Sequence, residues 1–135
     1  MKPIHLRSRT ARRVALFALI AGPVLVAAAR PAHLELEKSS PADGATVSSI
    51  SEIRLTFTDT PMNMGAKTVS IRILGADGRT LSTGSAVKDP NNARVYSLAL
   101  PRGLEPQAYR VAWETMANDG DVVKGEFRFT VAATN

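Results

Sequence analysis

The chain has no cysteine. That one absence excludes disulfide staples, thiolate metal ligands and thiol nucleophiles, so whatever folds here is held by its core alone. Histidine is scarce too, with only His5 and His33. No Ser/His/Asp nucleophile set can be drawn around one His without an obvious partner serine. Aromatic residues make up 5% of the sequence. They form no stripe interleaved with basic residues, and no glycine-rich phosphate loop is present. There is also no internal repeat and no low-complexity linker.

The formal charge of +5 suggests a basic protein, but its distribution does not. Residues 1–32 carry six of the 17 Lys and Arg and none of the 12 Asp and Glu, which leaves 11 basic against 12 acidic residues in 33–135. A segment with net charge −1 offers no charge-based case for nucleic acid. The basic excess sits at Lys2, Arg7, Arg9, Arg12, Arg13 and Arg30. The first five precede Val14–Ala29, a nearly continuous apolar run broken by Gly22-Pro23 and ending in three alanines. This layout predicts a secretory signal peptide over residues 1–32, cleaved near Ala29 or Ala32. A permanent membrane anchor is the alternative, and the run is short and interrupted for a span of about 20 residues. The expected location of the rest of the chain is the periplasm.

Residues 33–135 form one candidate domain, long enough to bury a core of its own. Strand signals dominate it. His33–Glu37, Ile53–Thr58, Thr68–Leu74, Thr80–Val87 and Val95–Leu100 read as strands, mostly through apolar residues at every second position. Turn chemistry separates them: Pro41 with Asp43-Gly44, Asp59-Thr60-Pro61, Asp77-Gly78 and Lys88–Asn92. The last two strands are the clearest. Tyr109, Val111 and Trp113 share one face, as do Phe127, Phe129 and Val131, around the polar turn Asn118-Asp119-Gly120-Asp121. Trp113 is expected to be the large aromatic of the core. About seven short strands with no convincing helix predict an all-β fold, a Greek-key β-sandwich or small barrel.

Three stretches together resemble a known family. They are His33 followed by Ser39-Ser40-Pro41-Ala42-Asp43-Gly44-Ala45; Leu55-Thr56-Phe57-Thr58-Asp59; and Tyr109–Trp113 followed by Asp119-Gly120, Gly125 and Phe127–Val131. In order and spacing they are similar to the CopC family of periplasmic copper-binding proteins, over essentially all of residues 33–135. The resemblance implies a seven-stranded immunoglobulin-like or cupredoxin-like β-barrel. It implies a Cu(II) site built from an N-terminal His, through amine and imidazole, with an Asp and a His from the last hairpin turn. It also implies a role in copper sequestration or delivery without catalysis, often beside an inner-membrane partner of the CopD type, and a monomer is expected.

Carried over residue by residue, His33 matches the N-terminal His and Asp119 the Asp of the turn. The family's turn His is Asp121 here, and Asp59 falls where members often have an acidic residue near the metal. The family's Met-rich Cu(I) loop is not matched; the chain has Gly75–Arg79 there. Four residues are thus metal candidates: His33, Asp119, Asp121 and Asp59. One imidazole with carboxylates suits Cu(II), yet more weakly than two imidazoles would. Asp119 and Asp121 also read as ordinary turn residues around Gly120. Met62 and Met64, with Met116, are soft donors that could hold Cu(I), or gap-filling core residues. The alternative to a copper carrier is a CopC-fold interaction or structural module that no longer binds copper. A copper oxidase would want a second His, which residues 33–135 lack.

Overall fold

In a computed structural model of the chain, residues 33–134 are described. The segment read as a signal peptide lies outside them. Among the described residues nine strands form two sheets. They are β1 (Leu36–Ser40), β2 (Ala45–Val47), β3 (Glu52–Phe57), β4 (Val69–Leu74), β5 (Thr80–Ser85), β6 (Val87–Asp89), β7 (Asn92–Ala99), β8 (Ala108–Met116) and β9 (Val122–Val131). One sheet has the order β1-β3-β7-β6 and the other β2-β9-β8-β4-β5. A single 3-10 turn, Gly65–Lys67, precedes β4. The all-β sandwich expected from the alternation is therefore observed, but each sheet keeps two free edges and the pair does not close into a barrel.

Alternation decides the layers. In β4 Val69, Ile71 and Ile73 are buried, with Ser70 and Arg72 exposed between them, and Leu74 is buried at the strand end. In β8, Tyr109, Val111, Trp113 and Thr115 are buried, and in β9 Phe127, Phe129 and Val131. These faces meet Ile53, Leu55 and Phe57 of β3 and Tyr96 of β7 in one core. Each such side chain, once buried, contributes roughly 1.5–3 kcal/mol of hydrophobic stabilisation. Phe57 meets Trp113 edge to face with ring centres 5.4 Å apart, and Tyr109 stacks on Phe129 at 5.4 Å. Beneath the indole lies Gly125, the register partner of Trp113 across β8 and β9.

The count of nine exceeds the expected seven for two local reasons. The predicted strand Thr80–Val87 is cut at the buried Ala86, whose N–H donates to Val69 O at 2.8 Å. On one side β5 pairs with β4, and on the other β6 pairs with β7 in the opposite sheet. The second reason is β2, three residues that run parallel to β9. Gly44 N–H donates to Arg128 O at 2.7 Å, and Arg128 N–H donates to the Asp43 carboxylate at 3.0 Å, which docks the Asp43-Gly44 turn on β9. The first strand also begins later than expected, at Leu36 rather than His33.

A candidate metal centre at one end of the sandwich

The turn joining β8 and β9 is closed at its base by Ala117 N–H donating to Asp121 O at 2.9 Å. Ala117 is buried, so this base is packed into the core end. Gly120 N–H donates back to Ala117 O at 2.9 Å, and Gly120 has φ of +92°, a conformation glycine adopts without steric cost. Asp121 N–H donates to Asp119 Oδ1 at 3.1 Å, so one carboxylate folds the turn that carries both. The adjacent Asn118 amide donates to Thr60 O at 3.1 Å and ties the turn to the segment leaving β3.

His33 arrives from the other side. Leu34 is buried in the core, while His33 itself is exposed. Glu35 N–H donates to Thr58 Oγ1 at 2.9 Å, and Thr58 N–H returns a bond to Glu35 O at 2.9 Å. This pair fixes residues 33–35 along the end of β3, beside the closing turn. As a result, one ligand atom from each of His33, Asp119 and Asp121 lies within 4.8 Å of the other two. All three residues are exposed, so an ion can reach them from solvent.

Asp59 is not one of this trio. It is exposed, and its Oδ1 accepts the N–H of Thr60 at 2.7 Å, the ordinary bond of an Asp opening a turn. Met62, Met64 and Met116 lie at the same end of the sandwich. Met62 N–H donates to Met116 O at 2.8 Å, with both residues half-buried, and Met64 is exposed. The chain passes from one sheet to the other here through Pro61, which is fully buried.

Chemically, the trio offers one imidazole nitrogen and two carboxylate oxygens from two well-separated parts of the chain. Carboxylates so close repel one another, and a bound cation converts that repulsion into attraction. Mixed N and O donors suit a tetragonal Cu(II) ion; the carboxylates also admit harder divalent ions. Sequence reasoning named the three residues that converge here but not their supports, Leu34, Thr58 and Asn118. Asn118 was legible in principle, since an Asn beside a turn Asp is a common backbone tether.

A family model described as the CopC domain matches residues 36–132. The copper resistance protein C of Xanthomonas campestris pv. juglandis is 28% identical over 122 residues, covering 89% of this chain and 96% of that protein. The copper resistance protein C of Pseudomonas syringae pv. tomato is 26% identical over 121 residues, 88% of this chain and 96% of the relative. Among crystal structures, CopC from Methylosinus trichosporium OB3b superposes with a TM-score of 0.67 at 26% identity, over 76% of this chain and 97% of that one. PcoC, a methionine rich copper resistance protein from Escherichia coli, gives 0.58 at 22% identity, over 74% and 99%, and bears on the fold alone.

Proposed function

This chain belongs to the CopC family, and from that premise we propose that it is a periplasmic copper-binding protein that sequesters or delivers Cu(II) without catalysis. The observation that carries the reading is the convergence of His33, Asp119 and Asp121, whose donor atoms all lie within 4.8 Å of one another. In this reading the His33 imidazole is the principal nitrogen ligand, Asp119 a carboxylate ligand, and Asp121 the substitute for the family's second imidazole. Asp59 orients His33 from outside the ligand group. The ligands must be deprotonated, so binding releases protons and weakens as pH falls.

Export is the work of residues 1–32. Cleavage after Ala32 would free the His33 amine and add a second nitrogen donor; cleavage after Ala29 would leave Arg30-Pro31-Ala32 ahead of it. Delivery to a CopD-like inner-membrane transport partner and a monomeric carrier belong to the same reading. A site with one imidazole binds Cu(II) less tightly than a site with two, which fits exchange rather than storage.

The test is a Cu(II) titration of the protein recovered from the periplasm, followed by electron paramagnetic resonance. Nitrogen hyperfine structure from a saturable site, lost in His33→Ala, is the expected outcome. No nitrogen-ligated signal at micromolar copper would sink the reading. That result would favour the second one, a CopC-fold interaction module that has lost its metal, for which Asp121 in the histidine position is the supporting observation. Mass measurement of the recovered N-terminus decides whether the amine is available.

A further inference from the structure

On the outer face of the five-stranded sheet, Arg110 of β8 and Arg128 of β9 are direct register partners. Like charges placed directly opposite on one sheet face destabilise the pairing. Residues 33–135 hold fewer basic than acidic residues, so general basicity does not account for the juxtaposition. Arg110 is partly offset by Glu126, its Nε 3.6 Å from the carboxylate. The Arg128 guanidinium has no ion pair among the described residues; the Asp43 carboxylate beside it is held by the Arg128 backbone N–H at 3.0 Å.

The pair borders an open cavity of about 410 Å³, whose opposite wall is the Gly75–Gly78 turn between β4 and β5. That wall is fixed in place. Gly78 N–H donates to Gly75 O at 3.0 Å, Gly75 N–H to Arg79 O at 2.9 Å, and Ala76 N–H to the Gln107 side chain at 3.2 Å. The one acid in the lining, Asp77, is already matched: it accepts Arg79 N–H at 3.0 Å and pairs with Arg79 Nε at 3.6 Å. The cavity is therefore bordered by two arginines in direct register, one of them without a side-chain ion pair among the described residues. Arginine forks bind tetrahedral oxyanions through parallel N–H···O bonds, and an anion between two of them relieves their mutual repulsion.

We propose that Arg110 and Arg128 form an anion site for a phosphate group, at the end of the sandwich opposite the candidate metal centre. Six residue steps along β8, about 20 Å of strand, separate Arg110 from Met116 beside the closing turn. The phosphate is either that of a small soluble ester or of an anionic lipid headgroup. Leu81, half-exposed, has its side chain against Gly75 at the rim, where a lipid would meet an apolar contact.

The test titrates inorganic phosphate into the copper-free protein recovered from the periplasm, read by amide and arginine Nε chemical shifts. Saturable shifts confined to Gly75–Gly78, Arg110 and Arg128 are expected. Arg128→Gln and Arg110→Gln should each weaken binding at least fivefold, while Lys88→Gln on the other sheet leaves it unchanged. Shifts spread over all basic residues, or affinity unchanged from the parent in either arginine variant, would overturn the proposal. Vesicles of phosphatidylglycerol and of phosphatidylcholine distinguish the sources. Sedimentation with the first only, competed by phosphate and lost in Arg128→Gln, identifies a lipid headgroup. Absence of sedimentation with phosphate binding retained identifies a soluble ester. Both glutamine variants alter exposed or half-exposed side chains, and circular dichroism checks that each remains folded.

Discussion

Trp113 lies directly opposite Gly125, and a Cβ built on Gly125 would come within 2.7 Å of the indole Cζ2. The glycine is there because the largest side chain of the core occupies the space its own side chain would take. The rigid ring cannot swing aside, since Phe57 packs edge-on against it at 5.4 Å. Gly125→Ala is expected to destabilise the fold by about 1–3 kcal/mol through overpacking. For a domain of this size each kcal/mol lowers Tm by roughly 4–8 °C. Thermal unfolding measures it, and an unchanged Tm would mean that the sheet absorbs the methyl group.

Asp121→His returns an imidazole to the closing turn. Cu(II) affinity should rise by about tenfold or more, equivalent to about 1.4 kcal/mol, because imidazole is a better Cu(II) donor than carboxylate. Competition titration against a chelator of known strength reads this directly. Unaltered affinity would place the 121 side chain away from the metal.

Asn118→Ala removes the tether to Thr60 O without touching a donor atom. The bond is exposed, so the cost in stability should sit at the lower end of about 0.5–1.5 kcal/mol. The expected effect on copper is a loss of a few fold, because the turn must then be ordered on binding. If the variant binds copper as the parent does, the turn holds its shape through the Asp119 and Gly120 bonds alone.

Placing one glycine directly ahead of a processed His33 separates amine from imidazole. Weaker Cu(II) binding and an altered electron paramagnetic resonance spectrum are expected if the amine is a ligand. An identical spectrum would show a site made of side chains only.

Burial raises the pKa of Tyr96 above its ordinary value of 10.0. Between pH 10 and that raised value the unfolded chain has given up the phenol proton and the folded one retains it. The unfolded state then binds fewer protons, so stability falls as pH rises. Below pH 10 the tyrosine contributes no slope. Denaturant midpoints of the parent and of Tyr96→Phe should run parallel to pH 10, and only the parent should lose the tyrosine's share above it.

Much of this architecture is legible in alternation. The inward residues of β4, β8 and β9 stand at every second position, and the Asp77-Gly78 turn carries the expected positive φ at Gly78, +78°. The short elements are not legible. β2 is three residues paired in parallel with a strand some 84 positions away, and nothing local in Ala45–Val47 announces that. The break at Ala86 is a change of sheet, set by its bond to Val69 O rather than by a turn residue. At the site, residue types and family resemblance pointed to His33, Asp119 and Asp121, which the fold brings together. Asp59 followed from the same resemblance; it lies outside that trio, and its Oδ1 accepts Thr60 N–H.

Leu34, immersed in the core one residue after His33, holds the histidine on a very short leash. The imidazole samples only the volume next to the closing turn, so its effective concentration toward the two carboxylates is set by one packed leucine. Affinity at this surface site is then partly a property of the interior. Shortening Leu34 to alanine would dilute the histidine locally, and copper would be lost faster with every ligand still present.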